Sequence, residues 1–376
     1  MYRLVKYLFL ATLVTALYAT VTGLMSKAGF GAEMPYRVVT VAKGLEHPWG
    51  MAFLPDGRML VTERPGRLRI VSPDGQVSGP IPGLPPIAAV GQGGLLDVAL
   101  HPKFGENSLV YFSFAEPGTG GQGTAAARGR LEGDALKNVE VIFRQKPKLS
   151  GGFHFGSRLV FAPDGTLYIS MGDRGRMQRA QNRRNHQGTI ARVNDDGSIP
   201  KDNPFVDSAE ALPEIYTWGN RNVQGMALNP RTGAVWAQEH GPKGGDEVNI
   251  LKKGANYGWP VITYGINYDG SVISDKTHME GIEQPLLHWT PSIAPSGMAF
   301  YDGDKFPQWK GDLFVGALKD RHLRRVDLDA NMTVVGQELL LEELQERIRD
   351  VRSSPDGFLY VLTDSPEGRV IRLEPN

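Results

Sequence analysis

The sequence predicts an all-β chain folded as a six-bladed β-propeller of four-stranded antiparallel blades, and three observations lead there. One phrase recurs six times: an apolar run, a tight turn often written Pro-Asp-Gly, then a second apolar run closed by a polar or charged residue. Self-similarity on this scale marks a repeat architecture, and each unit reads as a β-hairpin. The 376 residues include 46 glycines and 26 prolines, which separate short β-branched and aromatic runs throughout. The length would allow two domains, but repeat folds extend as one unit, so one ring accounts for the chain.

The elements follow in order. Arg3 and Lys6 precede an uncharged run from Tyr7 to Met25, and the small residues Gly29 and Gly31 place a cleavage point before Ala32. This is the pattern of a secretory signal peptide over residues 1–31, which implies a periplasmic protein. The alternative is an uncleaved membrane anchor, because the run is long enough to span a bilayer. Residues 32–376 are expected to form the propeller as a single domain.

The first repeat is WGMAFLPDGRMLVTE, from Trp49, and the second is GLLDVALHPKFGENSLVYFSF, from Gly94, with Gln92 just before it. The third, SRLVFAPDGTLYISMGD, turns at Asp164-Gly165 and pairs Leu159–Ala162 with Leu167–Ser170. Extending that ladder brings His154 beside Asp173. The fourth, VQGMALNPRTGAVWAQE, follows Arg221 and Asn222 and precedes Gly241 and Pro242. Lys319 exits the fifth, SGMAFYDGDKFPQWKGDLFVGAL. Arg347 and Arg349 enter the sixth, IRDVRSSPDGFLYVLTD, where Arg349 pairs across from Asp364.

If the blades surround an axis, these open ends share one rim. The rim then carries Gln92, the His154–Asp173 pair, Arg221, Asn222 and three more cations. Any one of them alone reads as a solvated or satisfied side chain. Together, Arg221, Lys319, Arg347 and Arg349 would repel one another, which an anionic ligand explains. A carboxylate on one ring nitrogen of His154 fixes the tautomer and leaves the other as a base. No G-x-S-x-G elbow is present, so the pair suits proton abstraction better than acyl transfer. The segment GPKGGDEVNILKKGANYGWP, with Asp246 and Glu247, is either an acidic turn or a set of oxygen donors suited to Ca²⁺.

Composition removes other classes. Lys plus Arg and Asp plus Glu are equal at 41 each, so nothing favours nucleic acid. Cysteine is absent, which excludes disulfides, thiolate metal sites and a cysteine nucleophile. No Walker, Rossmann or H-E-x-x-H motif occurs.

The segments GQGGLLDVALHP, HFGSRLVFAPDGTLYISMGD, WGNRNVQGMALNP, EHGPKGGDEVN, NYGWP, GALKD and RIRDVRSSPDGFLYVLTD resemble the soluble quinoprotein sugar dehydrogenases. Within them the chain is most similar to the aldose sugar dehydrogenase branch, and the resemblance runs from about Pro35 to the C-terminus. It implies a six-bladed propeller that uses pyrroloquinoline quinone (PQQ) and Ca²⁺ to oxidise aldoses at the anomeric carbon to the lactone. Position by position it implies His154 as general base and Asp173 as its orienting carboxylate. Gln92, Arg221, Asn222, Tyr268, Lys319, Arg347 and Arg349 match the PQQ shell, with Arg321 an open addition to it. The carbonyls of Gly241 and Pro242 match the catalytic Ca²⁺ site, and Glu247 and Tyr257 fit a second, structural Ca²⁺ site. The inter-blade loops are shorter than in the glucose-specialised branch, which puts tight glucose selectivity and its dimer contacts in doubt. The implied partners are an aldose and a quinone or small redox protein as electron acceptor, with the protein a monomer or weak dimer.

Two other readings remain. A metal-dependent propeller lactonase would place acidic and Asn side chains around an axial metal. A non-catalytic propeller that binds a protein partner would have no need of the His154–Asp173 pair.

Overall fold

In the computed structural model the described residues are 35–376, and the leader expected over residues 1–31 lies outside them. The repeat's turn forms for the reason its residues suggest. Asp56, Asp164 and Asp356 each accept the backbone N–H two residues on, at 3.1, 2.9 and 3.3 Å. The glycine after each takes a positive φ and donates its N–H back to Leu54, Ala162 or Ser354, which closes the turn.

The chain opens with β1 (Tyr36–Leu45), which waits for a partner. Six antiparallel sheets then assemble in order. β2 (Pro48–Phe53), β3 (Met59–Glu63) and β4 (Arg67–Val71) make the first. β5 (Leu95–Leu100), β6 (Leu109–Gly118), β7 (Gly121–Glu132) and β8 (Ala135–Arg144) make the second. The third is β9 (Leu159–Phe161), β10 (Leu167–Ser170), β11 (Ile190–Val193) and β12 (Ile215–Thr217). The fourth is β13 (Val223–Leu228), β14 (Val235–Glu239), β15 (Asp246–Ile250) and β16 (Leu287–Trp289). The fifth is β17 (Pro295–Phe300), β18 (Leu313–Ala317), β19 (Leu323–Leu328) and β20 (Val334–Leu340). β21 (Ile348–Ser353), β22 (Leu359–Thr363) and β23 (Gly368–Pro375) form the last, and β1 completes it by pairing with β23.

Each repeat supplies the two inner strands of its blade, with Leu167 opposite Phe161 and Ile169 opposite Leu159 as the third repeat predicts. One detail differs from a uniform four-stranded blade: the first sheet has three strands. Beyond β4 the chain runs through SGPIPGLPPI, whose four prolines cannot donate to a ladder. It follows the edge only through a Val71–Val77 bridge and hydrogen bonds from Ser78 to Ile70 and Ile81 to Leu68.

The inner strands β2, β5, β9, β13, β17 and β21 touch in that order, and β21 touches β2, so the ring is closed. Six clusters of the core form seams, one between each pair of neighbouring blades, and a seventh joins Trp49, Leu96, Ala115 and Phe155 at the cavity. β22 shows why its first four positions are all apolar: Leu359 and Val361 face the fifth blade, while Tyr360 and Leu362 face the first.

Two arginines and two buried carboxylates from the inner strands and their edges form four ion pairs at the axis. Arg158 reaches Asp97 at 3.1 Å and Asp350 at 2.9 Å, and Arg352 reaches the same two carboxylates at 2.8 and 2.9 Å. Gly297 leaves room for this group, since a Cβ there would lie 2.2 Å from the Asp350 carboxylate. Among the described residues no helix is long and apolar enough to cross a membrane.

Candidate active site

In an antiparallel blade the start of the inner strand and the end of its neighbour lie on the same edge. A cavity of about 560 Å³ opens there, with walls from all six blades, among them Trp49, Gln92, Gly156, Asn222, Leu318 and Arg349. The open ends of the repeats therefore do converge on one rim.

His154 stands at its edge, beside the lining residues Gln92, Phe155 and Gly156. Its backbone N–H donates to Gln92 Oε1 at 2.8 Å, and its Nδ1 meets Asp173 Oδ1 at 2.6 Å. Asp173 is fully engaged: Oδ1 also accepts the Gly175 N–H at 2.8 Å, and Oδ2 accepts the Trp259 indole N–H at 2.9 Å. Burial pulls His154 below the ordinary imidazole value, the Asp173 hydrogen bond draws it back up, and the charge on Arg221 lowers it again. Burial would raise Asp173, but the His154 hydrogen bond and the charge on Arg221 hold it below the ordinary carboxylate value. The pair is thus set as a neutral imidazole and an ionised carboxylate, with Nε2 free of protein hydrogen bonds among the described residues.

The opposite wall is cationic. Arg349 is buried and donates to Asp364 Oδ2 at 2.8 Å and to Gln224 Oε1 at 3.1 Å, while its Nε has no hydrogen-bond partner. Arg347 is more exposed, reaching Asp364 Oδ2 at 3.2 Å and the Leu318 carbonyl at 3.1 Å. His47 Nδ1 donates to Asp364 Oδ1 at 2.8 Å. Burial works to raise Asp364, yet Arg349, His47 and Arg347 together hold it far below the usual carboxylate range. One carboxylate thus relieves the mutual repulsion of two arginines without cancelling it.

A second, ion-sized chamber of about 10 Å³ shares His240 with the cavity and is lined by Glu239, Gly241, Glu247 and Tyr257 among others. Glu239 and Glu247 face each other across β14 and β15. Burial raises both carboxyls, and the charge on Glu239 raises Glu247 further. Nearby, Asn220 Oδ1 and Asn249 Oδ1 are buried with no hydrogen-bond partner. Two crowded carboxylates with spare carbonyl oxygens fit a hard divalent cation such as Ca²⁺. The Tyr257 hydroxyl is spent on Ile250 O and Lys252 N, at 2.7 and 2.9 Å, so its carbonyl is the donor it has to offer. The Gly241 carbonyl accepts from Arg221 at 3.2 Å, and Pro242 beside it is buried.

The structure gathers Gln92, Asn222, Arg347 and Arg349 in the cavity wall. Arg221 stands behind it in the wall of the chamber. Lys319, Arg321 and Tyr268 are not part of the cavity lining. Lys319 follows the lining residue Leu318 and is drawn off to the Ser292 carbonyl at 2.8 Å and to Asp320 at 3.2 Å. Arg321 turns to the Gln345 carbonyl at 3.4 Å, and Tyr268 is 71% exposed. Sequence reasoning missed Glu239, Trp259 and the sharing of Asp364. A signal for two of these existed: Glu63, Asp173, Glu239 and Asp364 are the acids that end the first, third, fourth and sixth repeats.

Comparison with known proteins supplies the family. The family model described as Glucose / Sorbosone dehydrogenase matches residues 45–372. Aldose sugar dehydrogenase YliI of Escherichia coli strain K12 is 46% identical over 357 residues, covering 93% of this chain and 96% of that one. The crystal structure of the soluble aldose sugar dehydrogenase from Escherichia coli, in the apo form, superposes with a TM-score of 0.88 at 44% identity, over 91% of this chain and all of that one. The PQQ-bound aldose sugar dehydrogenase from Streptomyces coelicolor superposes with a TM-score of 0.73 at 29% identity, over 92% of this chain and all of that one. A family model spanning nearly the whole ring, and a relative aligned almost end to end, make this chain a member of the glucose/sorbosone dehydrogenase family.

Proposed function

We propose that the protein oxidises aldose sugars at the anomeric carbon to the lactone, with PQQ and Ca²⁺ bound at the rim. The observation that carries this reading is the His154–Asp173 pair at the edge of a cavity whose far wall is Arg347 and Arg349. PQQ carries three carboxylates, and the guanidinium groups of Arg347 and Arg349 in the cavity lining are donors suited to them. Gln92, Arg221 and Asn222 complete the polar shell, with Lys319, Arg321 and Tyr268 at its periphery. Gly241 and Pro242 would offer carbonyls to the catalytic Ca²⁺; Glu247, with Tyr257, would hold the structural one. When bound, PQQ supplies the two-electron acceptor and Ca²⁺ the Lewis acidity.

The chain's own part is the proton. His154 Nε2 takes it from the anomeric hydroxyl, while Asp173 stabilises the imidazolium through Nδ1–H. Trp259 and Gly175 hold Asp173 in place, so the imidazole does not reorient as it gains charge. The electron acceptor in turn is a quinone or a small redox protein, and the compartment is the periplasm.

The axis argues against the lactonase reading. Its two carboxylates, Asp97 and Asp350, are each held by Arg158 and Arg352 rather than left for a metal. A pure binding module gives no reason for a buried base oriented by a carboxylate. The test is reconstitution of the purified apoprotein with PQQ and Ca²⁺, followed by dye reduction with a panel of aldoses. Activity that needs both additions supports the reading. Absence of PQQ binding in a titration, with no turnover, overturns it.

A further inference from the structure

Arg174 directly follows Asp173 and is 3% exposed. It is not part of the cavity lining, and among the described residues it forms no ion pair. Both oxygens of the neighbouring Asp173 are already taken by His154, Gly175 and Trp259. Its guanidinium instead reaches back into the loop that carries the base. Nη1 donates to the Phe153 carbonyl and Nη2 to the Gly151 carbonyl, the latter at 2.7 Å. The guanidinium lies 3.5 Å from the centre of the buried Phe155 ring, and Nε has no hydrogen-bond partner. Arg174 itself adopts a left-handed backbone with φ 57°, as does His154 at φ 54°. Burial brings the Arg174 guanidinium down to about 10, with Asp173 opposing.

A buried cation without a counter-ion is costly, and a neutral residue of similar size would be the stable choice there. What the cation holds is specific: the carbonyls on the near side of His154 and the ring on its far side. We propose that Arg174 is a positioning residue for the base, clamping residues 151–155 so that the His154 imidazole meets Asp173 and presents Nε2 to the substrate. The inference rests on the function proposed above for His154. The charged and titratable groups acting on that imidazole are Asp173, Arg221, Arg174 and His240. Of these, Arg174 alone also holds the loop that carries it.

The test compares Arg174→Lys and Arg174→Met with the wild type. Lysine keeps the charge and loses the fork; methionine loses both. In the PQQ- and Ca²⁺-loaded enzyme, both variants are expected to lose about tenfold or more in kcat, the scale of a misplaced catalytic group. PQQ affinity by titration should stay within about threefold of wild type, since the guanidinium does not line the cavity. The His154 ring titration, followed by NMR in the apoprotein against a His154→Ala reference, should move to lower pH in Arg174→Lys, which keeps the charge but releases the imidazole from Asp173. A merely structural role would lower thermal stability without that displacement. Wild-type kcat in Arg174→Lys overturns the clamp, and it does so even if Arg174→Met does not fold. A loss confined to PQQ affinity overturns it too. An inactive wild type in the same assay would instead refute the function, leaving the NMR titration to decide the role of Arg174 alone.

Discussion

At the scale of the residue, His154 is tuned by two opposed forces. Burial disfavours its charged form, and Asp173 favours it, with burial the larger. A lowered imidazole value keeps the base unprotonated further into acid. The acid limb of kcat/KM is therefore expected to have its midpoint below the ordinary imidazole value of about 6.5. A limb at or above that value would show that Asp173 outweighs burial. His154→Ala should retain PQQ in a titration yet lose about 10² or more in turnover, the usual contribution of a general base. Turnover close to wild type would remove the histidine from the chemistry. The pair was legible in the sequence because it depends on one hairpin register, with nineteen positions folded back on themselves. Trp259 was not, because it reaches Asp173 from a loop eighty-six positions away, and no local pattern encodes that approach.

At the scale of the element, one position in the repeat serves several purposes. The acid closing the repeat is Glu63 in the first blade, where it binds Arg67 and Arg69. In the third it orients a base, in the fourth it faces Glu247, and in the sixth it joins two arginines. The inner hairpins were readable since their turns and apolar runs are local. The outer strands were not, because their ladders close over variable distances and carry no common phrase. The axial ion pairs belong to the inner strands and their edges. Replacing Arg158 by Met would leave Asp97 and Asp350 buried against Arg352 alone. The expected loss is about 3–5 kcal/mol of unfolding free energy, read by denaturant titration. A change below about 1 kcal/mol would mean that packing, not charge pairing, holds the axis.

At the scale of the whole molecule, stability is distributed over six seams, and the ring holds only when all of them close. The ion-sized chamber lies inside the fourth blade and against the cavity wall, so a cation there would tie a blade to the site. Chelation of the loaded enzyme is expected to abolish activity and lower the melting temperature together. A cation at about a hundredfold over its Kd contributes about 2.7 kcal/mol by mass action, enough to be seen. Indifference of both readouts would reject Ca²⁺ at Gly241, Pro242, Glu247 and Tyr257. Finally, the last blade is completed by β1 lying antiparallel to β23, with Tyr36 opposite Pro375 and Leu45 opposite Gly368. The two ends of the ring thus leave it side by side. Tension applied between them would load the ladder one hydrogen bond at a time, peeling β1 away like a zip rather than shearing the whole strand. A ring that resists heat as a unit would open under small mechanical force at this one joint.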